Sequence, residues 1–230
     1  MHIPDGYLSP QTYVPLYGAF LAIEAVAVGK VRKEVSKRSI PYIGMAAAFS
    51  FIIMMLNLPI PGGTTGHAVG AALIAIILGP WAASLAVSVA LIIQALVFGD
   101  GGITALGANA FNMAIFMPFV AYFIFRLLNG HSLKKSRVVV ASFIAGYLSL
   151  VLTAILTGFE LGIQPLIATG PDGRALYAPY DLSIAVPAMA LGHLVLFGII
   201  EGLVTALVMY YFYRSESQMI YAINRGGAHE

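Results

Sequence analysis

The 230-residue sequence contains no cysteine. That removes disulfides, thiolate metal sites and cysteine nucleophiles, so any metal chemistry has to use nitrogen, oxygen or thioether donors. Charge is also scarce, at 10% of residues, against roughly 25% in a soluble domain. The net charge is only +2 and the basic residues gather in short loops, which argues against nucleic acid as a partner. No Gly-x-x-x-x-Gly-Lys-Ser/Thr loop is present, because the one Gly-Lys pair, Gly29-Lys30, is followed by Val31. His-Glu-x-x-His and Gly-x-Ser-x-Gly are absent too, so neither ATP use by such a loop nor intramembrane hydrolysis has machinery here, and the chain does not read as an enzyme. The start lacks a basic n-region and a small-residue cleavage site, and is expected to remain as a free segment.

What is abundant is apolar: 60% of the residues, with a mean hydropathy of +0.89. The expectation is an all-α polytopic membrane protein forming a single domain over 1–230. Apolar runs predict seven transmembrane helices: one N-terminal helix plus a six-helix bundle. They fall at about Thr12–Gly29, Pro41–Leu58, His67–Leu78, Trp81–Phe98, Gly107–Leu128, Val138–Gly158 and Leu182–Tyr213. The third run, at 1.5 Å per residue, reaches only about 18 Å of a ~30 Å hydrocarbon core. Placing the loops after helices 1, 3, 5 and 7 in the cytoplasm puts eleven of the twelve basic residues there. They are Lys30, Arg32, Lys33, Lys37, Arg38, Arg126, Lys134, Lys135, Arg137, Arg214 and Arg225, with Arg174 alone opposite. The positive-inside rule then sets the N-terminus outside and the C-terminus inside. Met1-His2, the Pro59–His67 loop, the Gly99–Ala105 loop and the Phe159–Asp181 loop share the outer face.

A histidine directly after the initiator methionine is chemically unusual. If Met1 is retained, as expected before a large residue, its amine, the His2 amide nitrogen and the His2 Nδ1 form a linked three-nitrogen chelator. One planar position stays open, and a second imidazole such as His67 could fill it. Planar nitrogen sites suit Ni(II) or Cu(II), whereas zinc prefers a tetrahedron. The plain alternative is an ordinary exposed histidine.

Three stretches carry a resemblance: Met1-His-Ile-Pro-Asp-Gly-Tyr-Leu-Ser-Pro10, Pro61-Gly-Gly-Thr-Thr-Gly-His67, and Phe98-Gly-Asp-Gly-Gly-Ile-Thr-Ala-Leu-Gly-Ala-Asn-Ala-Phe-Asn-Met113. Together they resemble the CbiM/NikM family, the substrate-capture (S) components of energy-coupling-factor transporters for nickel and cobalt. The resemblance spans essentially the whole chain and implies capture of Ni(II), with Co(II) as the alternative, by Met1, His2 and His67 at the cell membrane. It implies as partners a transmembrane coupling (T) protein, two ATPase subunits and a small accessory membrane subunit; the last is not expected to be fused here. A small-residue face at Gly44, Ala47 and Ala48 allows close helix approach; in this family such a face docks the coupling protein. Nickel is expected ahead of cobalt, because a planar four-nitrogen field suits low-spin Ni(II).

Supporting roles are expected around these ligands. Gly62, Gly63 and Gly66 would let the loop approach closely and take positive φ. Asp5, Asp100, Thr104, Asn109 and Asn112 are candidates to hydrogen-bond the ligating imidazoles. Glu24, His193 and Glu201 lie within spans and read as inter-helical hydrogen bonds, or else as a release path. Met113, Met117 and Met189 read as packing. Two competing functions remain: an ion-coupled transporter of a small organic solute using Glu24 and Glu201, and a metal-sensing or structural membrane subunit.

Overall fold

The computed structural model describes residues 1–34, 40–60, 64–130 and 132–215. Gly62, Gly63, Lys37, Arg38 and Arg225 lie outside them. Long apolar runs form helices here because a helix satisfies its own backbone groups where water is absent. Among the described residues, five helices are long and apolar enough to cross a membrane.

The first, α1 (Pro10–Glu34), begins where the Ser9 carbonyl accepts from the Thr12 and Tyr13 amides at 2.9 and 3.0 Å. Pro10 suits a first turn because its missing donor would be unpaired there anyway. Arg32 and Lys33 occupy the last turn, favourable for the helix dipole. Helix α2 (Ile40–Met54) stops short of the expected Leu58. Leu58 instead opens a hairpin, β1 (Leu58–Ile60) against β2 (Thr64–Gly66), with Leu58 opposite Gly66. On α2, Gly44 and Ala48 are exposed, but Ala47 is buried in the core, which removes it from any shared docking patch.

Helix α3 (Ala71–Leu78) does not start at His67 as the apolar run suggested. Gly70 interrupts it with φ 75°, and the Phe49 ring occupies the space beside it that a Cβ would need. Its eight residues rise only about 12 Å, and Ala71 to Ile77 are all buried. Gly79, at φ 89°, then turns the chain sharply into α4 (Pro80–Phe98). The rest is α5 (Leu106–Asn129), α6 (Lys135–Gly162), a helical turn at Gln164–Ile167 and α7 (Leu182–Ser215). Helix α3 is the central post, packed against α4, α5, α6 and α7.

Three helices contain a π turn: α4 at Gln94–Phe98, α5 at Phe111–Phe116 and α7 at His193–Phe197. A π turn frees backbone groups from their usual partners and often accompanies a functional site.

The two ends of the bundle differ. At one end the N-terminal segment meets the α4–α5 loop, where Gly102 N–H donates to the Ile3 carbonyl at 2.9 Å, and the α6–α7 loop, where Ala178 N–H donates to the Tyr7 carbonyl at 3.1 Å. At the other end Lys135 Nζ reaches Tyr210 Oη at 3.2 Å and the Tyr213 hydroxyl donates to the Leu133 carbonyl.

Candidate metal centre

The N-terminus does not trail into solvent. Met1 is 1% exposed, His2 4% and Ile3 0%. Asn109 on α5 holds the segment at Ile3 from both sides: the Ile3 N–H donates to Asn109 Oδ1 at 2.8 Å, and Asn109 Nδ2 donates to the Ile3 carbonyl at 3.0 Å. Asp5 accepts from the Ile103 amide at 3.1 Å, and from the Thr104 amide and hydroxyl at 2.7 and 2.6 Å. Those bonds to Thr104, foremost its hydroxyl, hold the Asp5 carboxyl below its ordinary range. Gly101 (φ +88°) and Gly102 let the loop lie directly on the segment; a Cβ at Gly101 would come within 3.1 Å of the His2 ring.

From the other side comes the hairpin. Thr64 Oγ1 donates to the His2 carbonyl at 3.1 Å, and the Met1 amine donates to the Thr65 carbonyl. One residue past the hairpin, the His67 ring stacks on that of His2, with centroids 4.7 Å apart and planes 28° apart.

Each imidazole has one nitrogen committed. His67 Nδ1 donates to the Ala68 carbonyl at 3.0 Å, leaving Nε2 buried without a partner among the described residues. His2 Nε2 donates to Gln94 Oε1 at 3.2 Å, in the tautomer assigned from that acceptor, leaving Nδ1 likewise without a hydrogen bond. The unpaired lone pairs are therefore His2 Nδ1 and His67 Nε2.

Burial sets the charge states. It pushes the Met1 amine down to about 4, against the opposing pull of the Asp100 carboxylate. Burial, reinforced by the amine, pushes His2 down to about 3, with the Gln94 bond opposing. Asp100, half-buried, is raised by desolvation. With His2 neutral, the 3.6 Å approach of Asp100 Oδ1 to His2 Nδ1 is a carboxylate facing a lone pair rather than an ion pair. Such an arrangement favours a cation between or beside the two. Among the described residues, no group of three or more His, Cys, Asp or Glu side chains could hold a metal.

The expected residues divide clearly. Met1, His2, His67 and Asp100 are brought together. Asp5, Thr104 and Asn109 tie the N-terminal segment to the α4–α5 loop and α5 through hydrogen bonds to one another and to the backbone rather than to an imidazole. Asn112, three residues beyond Asn109, turns away to α6, donating to Glu160 at 2.7 Å. Gly66 sits in a strand without positive φ, contrary to expectation; its lack of a side chain makes room for the Phe197 ring. Glu24 accepts from Ser84 and, at 3.0 Å, from Ser88, fastening α1 to α4. Glu201 Oε2 accepts from the Val69 and Gly70 amides at 2.8 and 2.9 Å, anchoring the link between His67 and α3. The sequence reading missed Gln94, Thr64 and Thr65. Gln94 was the findable one, as an amide four residues before the end of an apolar run that enters the Gly-rich loop.

Fold and site together define a multi-pass membrane protein that folds its own amino terminus against a pair of neutral imidazoles. The chain belongs to the CbiM family, described as the cobalt uptake substrate-specific transmembrane region, which matches residues 2–219. It is 48% identical to a probable fused nickel transport protein, LarMN, of Lactiplantibacillus plantarum over 96% of this chain and 67% of that one. It is also 48% identical to a fused nickel transport protein, NikMN, of Rhodobacter capsulatus, of which it spans 64%. A putative metal transport protein of Methanocaldococcus jannaschii is 44% identical and matched over its whole length. A solved structure described as a truncated transition metal transporter superposes with a TM-score of 0.89 at 50% identity, covering 93% of this chain and 99% of its own.

Proposed function

We propose that this chain is the capture subunit of an ATP-driven uptake system for Ni(II), with Co(II) as the alternative cargo. The ion is held by four nitrogens: the Met1 amine, the His2 amide, His2 Nδ1 and His67 Nε2. One observation carries the reading. Two stacked neutral rings each leave a buried nitrogen bare, beside a buried amine.

Amine and imidazoles are held proton-free by burial, so the cation displaces few protons from them. The amide must ionise, which only a metal already anchored at the amine makes easy. A planar field of four nitrogens suits Ni(II), in keeping with the nickel transport named for the relatives.

Seven helices carry the topology, with the N-terminus outside and the basic end in the cytoplasm. Helix α3 and the irregular link His67–Gly70 make the third crossing together. That is permitted because the link is buried in protein and Glu201 satisfies two of its amides. Transport would need a coupling protein, two ATPase subunits and an accessory membrane subunit. Exposed Gly44 and Ala48 on α2 offer a small-residue face for the first of these. An organic-solute carrier driven through Glu24 and Glu201 is disfavoured, because both carboxylates already serve as helix fasteners.

The test is insertion of one residue between Met1 and His2. Every side chain survives, but the ring sizes of the chelate change. Ni2+ affinity should fall by at least about 100-fold, measured by titration of the purified protein. Unchanged affinity would remove the N-terminal chelate from the account.

A further inference from the structure

His193 has the same preparation as His67 but no role in the four-nitrogen site. It lies in the π turn of α7 and is fully buried. Its own N–H bonds to the Ala190 carbonyl, so the Met189 carbonyl is free to accept from His193 Nδ1, at 2.7 Å. With the proton fixed on Nδ1, Nε2 presents a lone pair, and that atom has no partner. A ring whose one nitrogen is tied to a carbonyl while the other is bare is how proteins present histidine to metals. Burying such an atom unpaired is costly if nothing ever meets it.

Its place in the fold points the same way. The Phe197 ring lies 5.3 Å from the His193 ring and also fills the space left at Gly66, immediately before His67. Met189, whose carbonyl orients His193, lines a cavity of about 200 Å³ together with Tyr7, Thr64 and Tyr180. Thr64 in turn bonds the His2 carbonyl. Cavity, His193 and chelate are therefore neighbours.

Resting on the four-nitrogen reading above, we propose that His193 is a staging ligand: its Nε2 takes the incoming divalent ion, with His67, before the N-terminal chelate closes on it. The order follows from the chemistry. A neutral imidazole binds a hydrated cation by displacing water, without losing a proton. The His2 amide ionises only once the metal is already held close to it, and the proton then leaves to solvent. An ion arriving directly at the N-terminus would have the slow step first; an ion staged on two imidazoles is delivered to it.

The discriminating variant is His193→Asn. Its amide nitrogen falls where Nδ1 was, keeping the bond to Met189, while Nε2 is deleted. With the full chain purified and Ni2+ alone added, stopped-flow absorbance should show association slowed about tenfold or more. The final bound spectrum and the melting temperature should match the unmodified protein. In a His2→Ala background, His193→Asn should lower the remaining Ni2+ affinity about tenfold further. An unchanged association rate overturns the staging role. A fall in melting temperature with faster dissociation overturns it too, assigning His193 to packing. His2→Ala binding with the unmodified spectrum and affinity would instead sink the four-nitrogen reading, whatever His193 does.

Discussion

Docking of the N-terminal segment should be steeply sensitive to acid, even without metal. Free in water, the Met1 amine and the His2 ring have ordinary values of 8.0 and 6.5; docked, burial lowers them to about 4 and about 3. Both shifts run downward, so the docked state holds fewer protons. Its stability is fully present above pH 8 and is lost as the pH falls towards the docked values. Between pH 8 and 6.5 only the amine must shed a proton on docking, which weakens it about tenfold per pH unit. Below 6.5 both groups must do so, and the slope doubles to about a hundredfold per unit. From pH 8 to 5.5 the loss accumulates to roughly 3.5 decades, or about 5 kcal/mol. Hydrogen exchange reads this directly. The Ile3 amide, bonded to Asn109, and the Gly102 amide, bonded to the Ile3 carbonyl, exchange when the segment lifts. In metal-free protein, their protection, corrected for intrinsic exchange, should drop by orders of magnitude from pH 8 to 5.5. Protection that stays constant across this range would refute the burial of a neutral amine.

Four substitutions test the bracing around it. Gln94→Leu removes the acceptor of the His2 Nε2–H and should weaken Ni2+ binding about 10- to 100-fold without loss of fold, as metal titration and circular dichroism will show; unchanged affinity would remove Gln94 from the site. Gly66→Ala drives a methyl group into the Phe197 ring and should cost about 1–3 kcal/mol in thermal melts, partly relieved by Phe197→Leu. Asn109→Ala breaks both bonds to Ile3, each worth about 1–3 kcal/mol when a buried partner is orphaned, and should cut Ni2+ affinity about tenfold or more. Asn112→Ala, which deprives Glu160 instead, should lower the melting temperature while leaving affinity within about threefold. Equal effects of the two on affinity would contradict the division of roles.

Much of the architecture was visible in the apolar runs, because a helix in hydrocarbon has to be long, continuous and apolar. The boundaries were less so. Gly70 splits the His67–Leu78 run, since a left-handed residue is invisible to hydropathy, and Leu58 enters a strand because its pairing with Gly66 decides it. The ligand candidates could be read because Met1-His2 is a covalent chelator whatever the fold. Their bracing could not, since Asn109 and Asn112 look alike in sequence. The pitch of the helix, locally altered by the π turn that follows Asn109, separates their partners. Gln94 and His193 were underrated for the same reason: each begins a π turn, and π turns have no signature in composition.

Docking the N-terminal segment without cargo is costly, and with the proposed site that cost gives the cargo its leverage. His2 Nδ1, His67 Nε2 and Gln94 Nε2 are buried without hydrogen-bond partners, at about 1–3 kcal/mol each. An ion that accepts the two imidazole lone pairs removes two of those penalties at once and adds its bonds to amine and amide. Segment, hairpin and α4–α5 loop are tied together through the same few residues, so with the proposed four-nitrogen site metal occupancy and closure of this end of the bundle become one equilibrium. A partner that recognises the closed face thereby recognises the loaded subunit. A partner that pulls the N-terminal segment away from Asn109 and Thr65 breaks the chelate and frees the ion. Adding metal should accordingly restore, at pH 5.5, the exchange protection that acid removes from Ile3, by a factor that grows with free Ni2+ until the site saturates. Protection at Ile3 that ignores metal would separate closure from binding and leave the partners nothing to read.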